Sequence, residues 1–139
     1  MRADQVLEDL PSAIQGARET GSDMPTPQIE SYRFGHIVVD GQAHDRDVII
    51  LPDRVIGGWW RKEGHTLHPD DLEAVFEAAP EVLVVGQGTY GRMQVTGETR
   101  QALQAAGVEL VALPTQKAVG TYNAMRQGRA VAAALHLTC

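Results

Sequence analysis

A glycine-rich turn, Gly86-Gln87-Gly88-Thr89-Tyr90-Gly91, directly follows the apolar run Val82-Leu83-Val84-Val85 and carries the GxGxxG spacing. Glycines so placed let a chain turn tightly and bring backbone N–H groups against a phosphate. The context departs from a dinucleotide site in two ways. Val95, Thr96 and Gly97 stand between the motif and the next helix, and the following strand ends in Leu113-Pro114 with no acid placed for a ribose hydroxyl. Two readings stay open: a plain turn at a strand end, or a loop for a small anion or other polar ligand. Thr115 opens a helix straight after another strand, where a hydroxyl caps the helix and the helix N-terminus attracts anions. If both junctions empty onto one sheet edge, Gly86, Gly88, Gly91, Thr115 and Asn123 form a pocket where open α/β sheets bind ligands.

Trp59-Trp60-Arg61 and Gly64-His65 make a second grouping. Successive strand residues point to opposite faces, so one indole is expected in the core and the other at the surface or over a cleft. An exposed Trp beside Arg is the make-up of an interface hot spot. The plainer alternative packs both rings inside and pairs Arg61 with a carboxylate such as Asp47. His65 is of the residue type that moves protons at neutral pH, although a lone histidine ahead of a helix more often serves as a structural hydrogen-bonding group.

His136 and Cys139 share the spacing H-x-x-C. A zinc site needs three or four ligands, and His36, His44 and His68 are too scattered along the chain to complete one. The Cys139 thiol lies beside its own terminal carboxylate, whose negative charge works against a nucleophilic thiolate. No serine occupies a G-x-S-x-G elbow, and no Walker, H-E-x-x-H or paired-carboxylate signature is present. No catalytic residue, metal or cofactor is therefore assigned, and the reading leans away from an enzyme.

The elements that position these residues are legible from hydrophobic spacing. Residues 1–27 are rich in Pro, Gly and Ser toward their end and read as a flexible arm, with a short amphipathic helix as the alternative. Residues 28–139 read as one domain. Strands are expected at Ile29–Tyr32 and His36–Val39, with Asp40-Gly41 as a type I′ turn, then at Asp47–Leu51 and Arg54–Trp60. An alternation of helix and strand follows. Pro69, Asp70 and Asp71 suit a helix start, and Leu72, Val75, Phe76 and Ala79 form one apolar stripe. Val82–Val85 is a strand. Thr96 caps a helix that ends at Gly107, Leu110–Leu113 is a strand, and Thr115 caps a helix with Ala118, Val119, Tyr122 and Met125 on one face. Val131–Leu135 is the last strand. This alternation implies a mostly parallel sheet covered on both sides.

Composition narrows the function classes. The chain has 139 residues, 43% hydrophobic, and a formal net charge of -6. That acidic balance argues against nucleic acid, which is met by a basic stripe, and against a polybasic hold on anionic lipid. The apolar runs are too short to span a bilayer, so no direct membrane insertion is expected. Met1 to Ala17 lacks the basic start and apolar core of a secretory signal. Cys139 is the only cysteine, which fits a reducing compartment, and a cytoplasmic location is expected.

An ordered set of short motifs resembles a known family. These are Ser31-Tyr32-Arg33-Phe34-Gly35-His36-Ile37, Asp47-Val48-Ile49-Ile50 with Pro52, Trp60-Arg61, Gly64-His65, Val84-Val85-Gly86-Gln87-Gly88, Pro114-Thr115 with Ala118 and Tyr122-Asn123, and the terminal His136-Leu137-Thr138-Cys139. Over residues 28–139 the chain is similar to the MTH-nine-three-eight-like domains of unknown function, whose members include a mitochondrial respiratory complex I assembly factor and an adipogenesis-associated protein. The resemblance implies a three-layer α/β fold, a mixed central sheet flanked by helices, with an additional small β layer from the N-terminal strands. It implies no catalytic residue. His44 stands where relatives often carry Tyr. Two expectations follow: a non-catalytic assembly or interaction protein using Trp59, Trp60, Arg61 and His65, or a protein that binds a small anion or polar ligand at the glycine and threonine turns.

Overall fold

The computed structural model describes residues 26–139. The arm expected over 1–27 lies outside the described residues except for Thr26 and Pro27, whose carbonyls accept hydrogen bonds from Arg126 and Tyr122. Strands β1 (Ile29–Arg33), β2 (His36–Val39) and β3 (Gln42–His44) form an antiparallel meander. The Asp40-Gly41 turn has positive φ at both residues, 49° and 80°, which is the backbone a type I′ hairpin requires.

The central sheet has five strands. β4 (Val48–Leu51) and β5 (Arg54–Gly57) form a hairpin, and β6 (Thr66–Leu67) follows as a short outlying strand. A 3-10 turn at Pro69–Leu72 leads into α1 (Glu73–Ala78). Next come β7 (Val82–Gln87), β8 (Gln94–Val95), α2 (Gly97–Ala105), β9 (Glu109–Leu113), α3 (Thr115–Met125) and β10 (Val131–His136). The sheet order is β5-β4-β10-β7-β9. β10 runs parallel to β7 and antiparallel to β4, so the sheet is mixed. β6 and β8 pair separately.

The uninterrupted apolar runs are strands buried on both faces, and their alternation sorts side chains into two cores. Ile49, Leu51, Leu83, Val85, Ala132 and Ala134 face Leu72, Val75 and Leu103 on the α1 and α2 side. Val48, Ile50, Val82, Val84, Ala133 and Leu135 face Ala118 and Tyr122 of α3 and Ile29, Ile37 and Val39 of the meander. The meander and α3 thus share one face, which is the extra β layer.

Two local expectations are revised. The helix expected from Pro69 starts as a 3-10 turn, and Ala79 leaves the stripe in a left-handed C-cap at φ 49°. Thr115 does not cap α3; Pro114 holds that position, and the threonine hydroxyl reaches across to two other strands. Thr96 does cap α2, accepting from Thr99 N–H at 3.0 Å.

Candidate functional site

The polar centre of the domain lies where the end of β10 passes the start of β4. Asp47 immediately precedes β4. Its Oδ2 accepts from Arg61 at 2.7 Å and faces His136 Nδ1 at 2.8 Å, while Oδ1 accepts from Leu137 N–H at 2.8 Å. The Asp47 carbonyl takes Trp59 N–H at 2.8 Å. One aspartate therefore fastens β10, the segment after it, and the chain leaving β5.

Arg61 is held at both terminal nitrogens. A second guanidinium nitrogen donates to Gly64 O at 2.9 Å, and its central carbon sits 4.7 Å above the Trp59 ring. Trp59 is buried and donates its indole N–H to Asp71 O at 2.9 Å. The same guanidinium nitrogen lies 3.1 Å from His136 Nδ1. Nδ1 cannot both donate to a carboxylate and accept from Arg61. The shorter approach to an anionic oxygen selects the tautomer with Nδ1–H pointing at Asp47, leaving the Arg61 proton for Gly64. Arg61 Nε and His136 Nε2 are buried without a partner among the described residues. The exposed His65 ring packs edge-on over His136, centroids 5.8 Å apart.

Burial by itself pushes the Asp47 carboxyl up. Hydrogen bonds from His136, Leu137 N–H and Arg61 outweigh that and hold it below the ordinary carboxylate value. The group is anionic at neutral pH, and its charge is matched within the cluster.

The glycine and threonine turns do share one rim. Gly88 N–H donates to Thr115 Oγ1 at 2.8 Å, and Thr115 Oγ1–H donates to His136 O at 2.6 Å. That rim is filled by the chain's own C-terminal segment. Thr89 N–H is taken by Thr138 O at 2.8 Å, and Gly91 N–H and Thr115 N–H by Gly88 O at 3.2 and 3.1 Å. These are the donors an anion would need. Gly88 has φ +93°, and a Cβ there would come within 2.8 Å of Thr138 O and 2.9 Å of His136 Cδ2. A Cβ on Gly86 would meet Thr115 Oγ1 at 2.8 Å. Gly91 packs near Pro114. Asn123 lies apart from these turns. Its amide bridges both backbone groups of Ile29, accepting at 3.0 Å and donating at 2.7 Å, and so pins β1 to α3.

Of the aromatic pair, Trp59 is inside and Trp60 is 77% exposed. Phe34 and Tyr90, at 56% and 69%, are the other large apolar side chains left in solvent among the described residues. The backbone beside Phe34 and Tyr90, and the Trp60 side chain itself, meet the same C-terminal segment. Gly35, next to Phe34, donates to Leu137 O, and Thr89, next to Tyr90, donates to Thr138 O. Trp60 shares a shallow cleft with Thr138, Asp45 and Asp47. The sequence offers Trp60 as a surface indole and, as its alternative, both rings inside with Arg61 on Asp47; the structure takes the pair from the second and the exposed indole from the first, and adds His136, which the sequence does not connect to them. The signal missed was positional: His136 ends the last strand, and Asp47 heads a strand that pairs with it.

Among the described residues no cluster of three or more His, Cys, Asp or Glu could hold a metal ion, and no helix is long and apolar enough to cross a membrane.

The fold and the locked strand end define a three-layer α/β domain whose polar network serves its own C-terminal segment. The family model described as "Protein of unknown function (DUF498/DUF598)" matches residues 29–136, and the chain belongs to that family. Among solved structures it is similar to a conserved hypothetical protein from Pyrococcus horikoshii OT3, at 28% identity and TM-score 0.70, covering 81% of this chain and 99% of that one. A protein from Bordetella parapertussis matches at 30% identity and TM-score 0.70, covering 82% and 98%. A Bordetella pertussis protein described as a Mth938-like domain matches at 26% identity and TM-score 0.59, covering 80% and 85%. The resemblance drawn from the motifs is thereby confirmed. No specific function is attached to the family model.

Proposed function

We propose that the protein is a non-catalytic interaction module, of the kind that serves assembly, and that it docks a protein partner through the aromatic rim around its C-terminal segment. The observation that carries this reading is that the three exposed aromatics Phe34, Trp60 and Tyr90 all lie at points where the chain meets Leu137 and Thr138, Phe34 beside Gly35, Tyr90 beside Thr89, and Trp60 in a cleft with Thr138. Scattered exposed apolar residues are ordinary, but large aromatic ones along one docking rim would supply interface energy at low entropic cost. The rim is also preorganised. The Asp47 cluster, the Thr115 hydroxyl and the Gly88 turn fix the segment beside which the aromatics lie, so binding does not have to order it. The N–H groups of Gly88, Thr89 and Gly91 are committed internally, which favours this reading over a small-anion site.

The test is a pull-down from the native host with the wild-type chain and with Trp60→Ala and Tyr90→Ala. Both positions are exposed, so the variants should fold with unchanged Tm. A partner recovered by wild type and lost in both variants supports the module. Recovery of no stable partner under mild salt, or a partner held equally by all three chains, overturns it.

A further inference from the structure

The exposed indole of Trp60 also forms one end of a groove on the α1 side of the molecule. Ile49, Ile56, Trp59 and Ala74 line this end together with Trp60, Lys62, Asp70 and Glu73. Asp70 and Glu73 also line an adjoining cleft of about 670 Å³ bounded by Pro69, Phe76 and Glu77. Its framework is fixed: Trp59 is bonded to Asp71 O, and the Asp71 carboxylate accepts from Lys62 N–H and His68 N–H. Asp71 is thereby used within the fold, whereas Asp70, Glu73 and Glu77 line the open groove. Lys62, 3.6 Å from Asp70, is the one basic residue lining it.

The charges of α1 are unfavourable for the isolated chain. Glu73 and Glu77 are like charges at i, i+4, which destabilises a helix. Glu77 also stands in the last turn, where the helix carries partial negative charge and no basic residue offsets it. A cation brought from outside relieves both. The aromatic ends, Trp60 and Phe76, offer apolar contact on either side of the acids. We propose that this groove receives a basic amphipathic segment of a partner protein, its apolar side chains against Trp60 and Phe76 and its lysines or arginines against Glu73 and Glu77. The proposal rests on the interaction reading above and gives the partner a chemistry. Charge disfavours the chain's own first 25 residues as occupant, since Asp4, Glu8, Asp9, Glu19 and Asp23 outweigh Arg2 and Arg18. It disfavours a second copy as well, the chain being net negative.

The experiment titrates the full chain with a synthetic amphipathic leucine-lysine peptide, following tryptophan fluorescence and amide chemical shifts. A leucine-glutamate peptide with the same apolar face is the control. Saturable binding is expected for the lysine peptide only, with shifts confined to Lys62, Asp70 to Glu77 and the Trp60 indole. Glu73→Gln with Glu77→Gln should weaken it by about tenfold, while Glu98→Gln on α2 leaves it unchanged. Equal binding of the acidic peptide, no weakening in the double variant, shifts mapping elsewhere, or self-association at the groove would overturn the proposal. A native partner lost by Trp60→Ala yet retained by the Glu73/Glu77 variant would sink the groove assignment and leave the interaction module standing.

Discussion

His136 Nδ1 lies 2.8 Å from Asp47 Oδ2, joining the end of the last strand to the residue that opens the first strand of the central sheet. The two are 89 positions apart in sequence and adjacent in space, because β10 runs antiparallel to β4. The pair, with Arg61, closes the domain around its own C-terminal segment.

Acid should loosen this closure. The Asp47 carboxyl is held below its ordinary value in the folded state. Its contribution is therefore fully present above the unfolded value of about 3.9 and is lost as pH falls through the lower folded value. Asp47→Asn keeps the shape but leaves Arg61 buried without its counter-charge, a defect of about 3–5 kcal/mol. Urea unfolding across pH 3 to 7 should show a less stable variant at neutral pH and a shallower decline in acid. Parallel curves would mean that another carboxylate governs the acid limb.

Gly88→Ala tests the rim. The added methyl meets Thr138 O and His136 Cδ2 at under 3.0 Å, on backbone at φ +93° where L side chains are strained. Neither neighbour is the free end of a flexible chain. A loss of about 1–3 kcal/mol is expected, together with amide shifts at Thr89 and Thr138. A variant as stable as wild type would show that the C-terminal segment is not seated in the turn.

Thr115→Val separates hydrogen bonding from packing, since valine nearly matches threonine in shape. It removes the acceptor for Gly88 N–H and the donor to His136 O, both in a buried setting. Leaving such groups unsatisfied costs about 1–3 kcal/mol each. The drop should exceed that of Thr96→Ala, whose cap bond on α2 is worth about 1 kcal/mol. Equal losses at the two sites would reduce Thr115 to an ordinary helix-start residue.

Much of the architecture was legible before any coordinates. Runs such as Val82 to Val85 are long enough and apolar enough to mark strands buried on both faces, and Asp40-Gly41 announces its own turn. The short pairs β6 and β8 were not legible, because two residues have no periodicity and depend on a distant partner, Gln94 for Thr66. The site was legible in parts. Trp59 and Trp60 divide between core and solvent, but not by strand alternation: the strand expected to reach Trp60 stops at Gly57, and both indoles lie beyond it. The sequence shows only the helix that Thr115 begins, whereas its hydroxyl is claimed by Gly88, just past β7, and by His136 of β10. Asn123 shares that helix, which is all that ties it to the glycine turns in the sequence, and its amide bridges both backbone groups of Ile29.

Alkali should act on the other face of the sheet. The Tyr122 hydroxyl is buried beneath the start of β1 and donates to Pro27 O at 2.7 Å. Burial raises its ionisation well above the ordinary phenol value; nearby Arg126 opposes that shift and Asp40 adds to it. A group raised in the folded state contributes stability in full below the unfolded value of about 10, and that stability is lost as pH climbs toward the folded value. The reason is that the unfolded chain gives up the proton first. Tyr122→Phe removes this titration and the bond to Pro27, at a cost of about 1 kcal/mol near neutral pH. Urea midpoints between pH 8 and 11 should converge for the two chains as wild type weakens. If the gap instead stays constant to pH 11, the Tyr122 proton is not what ties Pro27 to α3.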